Sequence, residues 1–523
     1  MARPAKTLDI EKTLWDSADA LRGSMDASEY KNVVLGLIFL KYVTDAFESR
    51  RAELEAATRD PENDDYFTED DAVRETILGD ADEYRSANVF WVPEGSRWDA
   101  IVAKGAQADL GEVIDEAMLG IEQSNSSLRG VLPITYNRAE LDRTRLKQVV
   151  DLIAKIGFTN IDEDRDILGR VYEYFLLQFD MQYGRAAGEF YTPRDVVELL
   201  VEMVEPFQGR VYDPCCGSAG MFNQSLKFAE AHGGSLKSIS VYGQESNPTT
   251  WKLAKMNMAI KGIEADLGAQ WADTFANDLH KDLKADYILS NPPYNISTWH
   301  RKTDDPRWQY GTPPAGNSNY AWMQHIVHHL APGGTAGVVM ANGTLTTETG
   351  GEDDIRRALV EADLVDCIVT LPDRLFYTTG IPVCLWFFSR ARGGQKEQRS
   401  REGEVLFIDA KRLGQMVSRT NRELTAEEVE RIAGTYHAWR GTSDESYEDE
   451  TGFCRSATLE DIEANHFVLA PGRYVGLVRG ESDDEPHDEK VVRLLSELAE
   501  HFASSAALEA RVRRNLKVLG HDL

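Results

Sequence analysis

At 523 residues with 42% hydrophobic content, the chain is long enough for two or three domains with sizeable cores, which excludes a disordered polymer. Its 57 basic residues against 87 acidic ones leave a net charge of -30, which excludes a protein that grips nucleic acid with its whole surface, because phosphate contacts dominate that affinity. Any basic surface must be local or lent by a partner.

The five cysteines, Cys215, Cys216, Cys367, Cys384 and Cys454, are odd in number and show no C-x-x-C spacing, which fits a reducing compartment. Met1 to Lys6 run directly into Thr7-Leu8-Asp9 with no apolar leader, and the apolar run Val33 to Leu40 is far too short to span a bilayer. The expectation is a cytoplasmic protein with no membrane partner.

From Leu8 to about Asp180 apolar residues recur at spacings of three and four among charged neighbours, as in Leu14, Trp15, Ala18, Leu21 and in Val33, Leu37, Leu40, Phe47. This predicts a helical region, broken by a loop at Asp60 to Asp65 and closed by an amphipathic helix over Asp166 to Leu176. Next stands Gly188-Glu189-Phe190-Tyr191-Thr192-Pro193-Arg194-Asp195, leading into Val196, Leu199, Leu200 and Met203. Thr192 is a good N-cap, Pro193 suits the first helical position and Asp195 completes a box-like pattern, so a helix starts here. It is either a capped surface helix or, with its positive end and Arg194, a carboxylate site.

Arg210-Val211-Tyr212 reads as a short strand running into Asp213-Pro214-Cys215-Cys216-Gly217-Ser218-Ala219-Gly220, with helical periodicity after it. Strand, small-residue turn and helix let a backbone approach a ligand at the carboxyl edge of a parallel sheet. The two glycines are three apart and no phosphate-binding lysine follows, so the pattern fits a nucleoside cofactor without phosphates better than NAD or ATP. Cys215 and Cys216 read as packing residues and not as a metal site. Ile239 to Glu245 predicts the next strand, ending in an acid suited to both hydroxyls of a ribose. A helix follows from Pro248 to Ile260, then Asp273, either a solvated loop acid or an acceptor for the cofactor's adenine amine.

Asp286 to Ser290 predicts a buried strand that must stop at Asn291-Pro292-Pro293-Tyr294, because neither proline donates to a sheet ladder. These four residues suit the alkylation of an exocyclic amine. Its lone pair is delocalised into the ring, and two acceptors on its two N–H bonds would draw it toward tetrahedral geometry. Asn291 offers a side-chain carbonyl, Pro292 a main-chain carbonyl, and Tyr294 a flat face for an extruded base. The prolines fix their own φ and bias the residues before them, so both oxygens are held at low entropic cost.

Asn291-Pro292-Pro293-Tyr294 resembles the catalytic motif of amino-group DNA methyltransferases, with Asn in first place as in the adenine-N6 enzymes. Together with the glycine loop, the segment before it and Leu469 to Val475, it resembles the modification (M) subunit of type I restriction-modification systems. The resemblance implies a Rossmann-like, mostly parallel α/β sheet binding S-adenosyl-L-methionine. It implies cofactor contacts from Glu189, Phe190, Tyr191, Thr192, Pro193 and Arg194, from Asp213, Gly217, Ser218, Ala219 and Gly220, and from Glu245 and Asp273. It further implies double-stranded DNA with a flipped adenine, a specificity (S) subunit, a restriction (R) subunit and a second M subunit as partners. No metal is expected. A protein glutamine N5-methyltransferase and a non-catalytic cofactor-binding scaffold are the alternatives.

Beyond the motif, His300 to Arg307 with Trp299 and Trp308 is either a phosphate- and base-contacting loop or a plain surface loop. His325, His328 and His329 on the helix Asn319 to Leu330 have no acid spaced for zinc and read as surface or packing residues. Further strands are predicted at Gly337 to Ala341, Val365 to Leu371, Val383 to Phe388 and Val405 to Asp409, with a helix from Asp353 to Glu361. From Leu413 the chain turns acidic and helix-biased, leaving no room for a domain that reads DNA sequence, and Val491, Leu494, Leu495, Leu498 and Phe502 form one face for docking on a partner helix or packing back. The expected division is a helical domain at 1–165, a methyltransferase domain at 166–415 and a C-terminal docking region at 416–523.

Overall fold

The structure is a computed structural model that describes residues 27–105, 109–138, 141–154, 174–175, 192–232, 238–376, 381–394, 398–419 and 421–477. The helices expected around Leu8 to Leu21 and at Val491 to Phe502, and nearly all of the one over 166–176, lie outside the described residues.

Helix α1, Ala27–Arg59, is 33 residues long. Val33, Val34, Leu35, Leu37, Ile38, Phe39 and Leu40 are all 2% exposed or less, so over two turns the helix is enclosed on every side. It is wrapped by α2 (Asp71–Gly79), α3 (Ala81–Arg85), α4 (Trp98–Gly105), α5 (Leu110–Ser124) and α6 (Arg143–Ile153). The loop expected at Asp60 to Asp65 is present. Phe39-Leu40-Lys41-Tyr42 is buried, and the Tyr42 hydroxyl donates to the Ile260 carbonyl at 2.9 Å. That tetrapeptide is therefore a seam joining the helical region to the chain around Ile260.

The remaining helices are α7 (Arg194–Val204), α8 (Gly220–Ala231), α9 (Pro248–Ile260), α10 (Asn319–His329), α11 (Glu352–Glu361), α12 (Ala426–Arg440) and α13 (Leu459–Ala464). The strands are β1 (Gly209–Asp213), β2 (Ile239–Gly243), β3 (Ala265–Asp266), β4 (Ala285–Ser290), β5 (Leu330–Ala341), β6 (Val365–Thr370), β7 (Val383–Ser389), β8 (Glu404–Asp409), β9 (Gln415–Met416), β10 (Arg422–Glu423) and β11 (Cys454–Thr458). Nine of them form one sheet in the order β11-β8-β6-β7-β5-β4-β1-β2-β3, and β9 and β10 pair as a separate hairpin. The pairs β1/β2, β2/β3, β1/β4, β4/β5 and β6/β8 are parallel, whereas β7 runs antiparallel to both β5 and β6, and β11 to β8. The mostly parallel sheet expected from the alternating pattern is thus present.

Both faces of the sheet are covered, as continuous apolar strands require. Val211, Leu289, Val339, Val369, Leu385 and Ile408 point to a core shared with α7, α8, α9 and α12. Their neighbours Tyr212, Ile288, Val338, Ile368, Trp386 and Phe407 point to a second core under α10, α11 and α13.

The sheet does not end at residue 415. Helix α12 packs on α7, and β11 adds an edge strand through Cys454↔Ile408 to Thr458↔Glu404, so the fold runs on to Val475. The segment Leu469 to Val475 closes that end: the Tyr474 ring stacks on Phe407 with centroids 3.8 Å apart, and its hydroxyl donates to the Val468 carbonyl at 2.6 Å. Among the described residues no helix is long and apolar enough to cross a membrane.

One buried polar group ties α12 to the sheet. Asp366 is 0% exposed and accepts from Arg392 at 2.9 Å, Arg401 at 3.1 Å and the Tyr436 hydroxyl at 2.6 Å. Burial alone would raise its carboxyl pKa, but the guanidiniums outweigh it and the net shift is downward. Replacing it with Asp366→Asn leaves the buried Arg401 without a carboxylate partner and Arg392 with Asp363 alone, and should cost about 3–5 kcal/mol in denaturant unfolding. Because the folded pKa is depressed, the wild-type contribution is whole above the unfolded carboxylate range and fades as pH falls through the folded value. The gap between the two proteins should therefore narrow only in acid.

Candidate active site

Parallel strands β1, β2 and β4 end on the same edge, and the chain places a motif at each end, in the crevice where open α/β sheets hold ligands. At the end of β1, Asp213 is 3% exposed, and its Oδ1 accepts from the Ser290 hydroxyl at 2.7 Å and from the Cys215 N–H at 3.1 Å. Burial pushes Asp213 up to about 7, although both donors pull the other way. Burial also raises both neighbouring thiols, Cys215 and Cys216, well above the ordinary cysteine value, so they pack as neutral groups.

The loop then turns twice through the left-handed region, at Gly217 (φ 55°) and Ala219 (φ 68°), before α8 begins at Gly220. A Cβ built on Gly217 or Gly220 would meet nothing within 4 Å, so both face open space. Three distant groups brace the loop. Glu245 accepts the Gly217 N–H at 3.1 Å, Asn257 of α9 donates to the Ser218 carbonyl at 2.7 Å, and Thr274 donates to the Pro214 carbonyl at 2.6 Å.

The helix predicted at Thr192 is α7, but the capping box is not formed. Pro193 holds the cap position with no side-chain hydrogen bond. Asp195 instead accepts the Leu424 N–H at 2.7 Å, and its burial raises the carboxyl to about 6. The Thr192 hydroxyl accepts an N–H of the Asn291 side chain at 2.9 Å. Glu189, Phe190 and Tyr191 lie outside the described residues.

Asn291 is the turning point of the site. Its amide nitrogen is committed to Thr192, and its Oδ1 is buried with no hydrogen-bond donor among the described residues. The turn beyond it is fixed by a reciprocal amide pair. Asn295, in the left-handed region at φ 61°, receives a bond to its side chain from Asn319 at 3.0 Å and gives its N–H back at 2.8 Å. Tyr294 is only 7% exposed, packed with the apolar core that includes Leu371, Leu375 and Phe376, and burial pushes its phenol up to about 12. A base stacking on this ring requires its cover to move.

Thr192, Arg194, Asp213, Gly217, Ser218, Gly220 and Asn291 line one cleft of about 680 Å³ counting its open mouth. Glu245 and Asp273 are not in its lining. Glu245 is half-buried and braces the loop, while Asp273 is exposed and caps a turn by accepting from Phe275 and Ala276 at 2.9 and 2.8 Å.

Of two neighbouring groups, Arg307 differs from expectation, and the histidines take the packing alternative with a partner that local spacing did not show. Arg307 is no surface contact: it is 7% exposed and donates to the Thr274 and Phe275 carbonyls, to Asp305 and to His325 Nδ1 at 3.0 Å. Of that loop His300, Arg301 and Lys302 are exposed, and Trp308 is buried. His325 and His329 are fully buried, with Asp278 accepting from His329 at 2.9 Å, so the acid that local spacing lacked comes from a distant loop. The ligand atoms of Asp278, His325 and His329 lie within 4.8 Å of one another, but Arg307 donates to the Nδ1 lone pair a metal would need and sets a fixed cation beside it. Burial and neighbouring cations keep His325 neutral.

A third feature is only half legible in the sequence, where Trp299 and Trp308 stand out but their partners do not. Phe275, Trp299, Trp308 and Trp322, scattered over nearly fifty residues, form an aromatic wall against Cys215, with Phe275 and Trp322 centroids 4.4 Å apart. The indole N–H groups of Trp299 and Trp322 are buried with no acceptor among the described residues.

Two family models match the chain, one described as N-6 DNA Methylase over residues 163–483 and one as HsdM N-terminal domain over residues 10–153. The chain is 45% identical over 453 residues to the type I restriction enzyme HindI methylase subunit of Haemophilus influenzae, covering 82% of this chain and 100% of that one. It is 38% identical to the type I restriction enzyme MjaIX methylase subunit of Methanocaldococcus jannaschii, covering 98% and 92%. The crystal structure of a type I restriction-modification system methyltransferase subunit from Streptococcus thermophilus shares the fold, with a TM-score of 0.72 at 24% identity, covering 90% and 99%.

The raised carboxyl of Asp213 gives a test of the loop's electrostatics. A folded-state pKa of about 7 means that the folded chain keeps a proton the unfolded chain has released, so this group lowers stability as pH climbs through that window. Asp213→Asn removes the titration and keeps an oxygen for Ser290. Its melting midpoint relative to wild type should rise between pH 5 and pH 7 and level off above; a constant difference would refute the shift.

Proposed function

Because the chain belongs to the methylase subunits of type I restriction-modification systems, we propose that it transfers a methyl group from S-adenosyl-L-methionine to N6 of an adenine flipped out of double-stranded DNA. The observation that carries this reading is the Oδ1 of Asn291, buried with no donor among the described residues on a side chain that lines the glycine-loop cleft. An acceptor left without a donor in a rigid frame is costly unless a ligand supplies one.

The residues fit the cofactor. Gly217 and Gly220 leave room where side chains would intrude, the start of α7 has no side-chain cap, and Arg194 lines the same cleft. Arg194 and the first turn of α7, with Glu189 to Pro193 before it, would take a carboxylate, Asp213 and Gly217 to Gly220 would frame the cleft, and Glu245 and Asp273 would take the ribose and the adenine amine. When bound, the cofactor supplies a methyl group made electrophilic by its sulfonium. Everything else is done by the chain. Asn291 Oδ1 and the Pro292 carbonyl each accept one N–H of the target amine, which turns its lone pair out of the ring and toward the methyl carbon. As the new N–C bond forms and the S–CH3 bond breaks, its electron pair staying on sulfur as a neutral thioether, the amine becomes cationic, and the two oxygens stabilise that charge. Neither carbonyl is basic enough to keep the proton, which passes on to water. Tyr294 stacks on the flipped base once its cover is moved.

The sequence read on DNA is assigned to a specificity subunit, because the described fold after β8 is a two-stranded hairpin of two residues per strand, helices α12 and α13 and an edge strand of the same sheet. A second methylase subunit and a restriction subunit complete the proposed complex, in the cytoplasm. Residues 1–165 and the chain beyond Val475 are the proposed docking regions.

Two outcomes are expected from the subunit co-expressed with its specificity chain and given radiolabelled cofactor. Label should appear in N6-methyladenine, and Asn291→Ala should lower the transfer rate about 100- to 1000-fold with cofactor affinity kept. Label on protein glutamine would support the rival enzyme, and label nowhere would support a scaffold. Asn319→Ala, which frees the turn at Asn295 without touching the cleft, should slow transfer about tenfold and leave cofactor affinity unchanged.

A further inference from the structure

Thr192 and Asn291, a bonded pair of side chains that line the cleft, each keep one hydrogen-bonding group unused among the described residues. Asn291 Oδ1 is a buried acceptor with no donor among the described residues. Thr192 Oγ1 accepts from Asn291 Nδ2 at 2.9 Å, and its own proton has no acceptor among the described residues. The order matters because a hydroxyl both gives and receives. With its proton pointed at Asn291, Thr192 would suit the flipped amide equally well, and the flipped amide shows an NH2 group to the cleft. That face repels the N–H bonds of a target amine. Asn291 is held in the useful orientation only if the proton of Thr192 is drawn elsewhere.

We propose that Thr192 is a positioning residue that couples the two substrates: the carboxylate of the methyl donor takes its hydroxyl proton, and the hydroxyl oxygen then compels Asn291 to present Oδ1 to the target amine. This rests on the reading of the cleft given above. Its basis is that Thr192, Arg194 and Asn291 line the same space, with Arg194 beginning a helix whose end no side chain caps. An anion placed there meets the guanidinium, the helix N–H groups and the Thr192 hydroxyl proton together. Donor binding would thereby set the acceptor geometry before the base arrives, without any movement of the backbone.

The test compares two donors in single-turnover methyl transfer to DNA, using the complex with its specificity chain. One is S-adenosyl-L-methionine. The other is its decarboxylated analogue, which keeps the sulfonium methyl and lacks the anion. At saturating donor, the wild-type protein should transfer about 10- to 100-fold more slowly from the analogue. Thr192→Val, which keeps shape and removes the hydroxyl, should slow transfer from the natural donor by a similar factor, and in that variant the two donors should then differ little in rate, because the losses share one path and do not add. Thr192→Ser should recover most of the rate, and melting midpoints show that both variants fold; if the valine variant does not, Thr192→Ala takes its place. A valine variant with wild-type rate, or losses that multiply, would overturn the coupling, as would a serine variant no better than valine. Absence of transfer in the wild-type complex with the natural donor would instead sink the methylation reading itself.

Discussion

The site depends on a single side-chain contact, the bond from the Ser290 hydroxyl to the Asp213 carboxyl. Two segments 77 residues apart become one site because β1 and β4 are parallel neighbours that end together, and this bond locks their last residues. On one side of it the chain turns through Gly217 and Ala219 into α8; on the other it turns through Pro292 and Pro293. A buried carboxyl that shares its oxygen with a hydroxyl and a main-chain N–H is a stiff joint, and it sets the spacing between the glycine loop and the Asn291-Pro292 turn.

How much of this the sequence discloses depends on how local each cause is. The central strands and α9 to α11 are legible, since apolar runs between turn residues and periodic faces report burial directly. Both motifs are legible because glycines and prolines constrain their own backbone. The side-chain partners are not. Thr192 and Asp195 have the residue types of a capping box, yet each finds a better partner at a distance, Asn291 for one and Leu424 for the other, and no pattern along α7 foretells either. Arg307 reads as a surface cation until four groups from three segments, the Thr274 and Phe275 carbonyls, Asp305 and His325, close around it. β11 escapes for a related reason: Cys454 to Thr458 is a short polar-flecked stretch on a sheet edge, where only one side needs to be apolar.

The excess of acid has a structural side as well. A few basic residues of this chain are spent internally. Arg356, Arg392 and Arg401 are 4% exposed or less, bonded to main-chain carbonyls and to Asp366. What remains outside is dominated by carboxylates, so the described surface offers little to a phosphate backbone except in short stretches such as His300 to Lys302. A division of labour, in which other chains supply grip and this one supplies chemistry, agrees with that distribution.

Helix α9 carries two loads. One stripe, Leu253, Met256 and Ile260, belongs to the core around α1, while Trp251, Ala254 and Met258 belong to the core under the sheet. Between them Asn257 holds Ser218, and at the helix end Ile260 holds Tyr42. The helix is thus a beam shared by two buildings, with the glycine loop fastened to its middle. Shifting the N-terminal helices as a block would strain that fastening, so whatever settles on them leans, through one rigid rod, on the loop that frames the cleft.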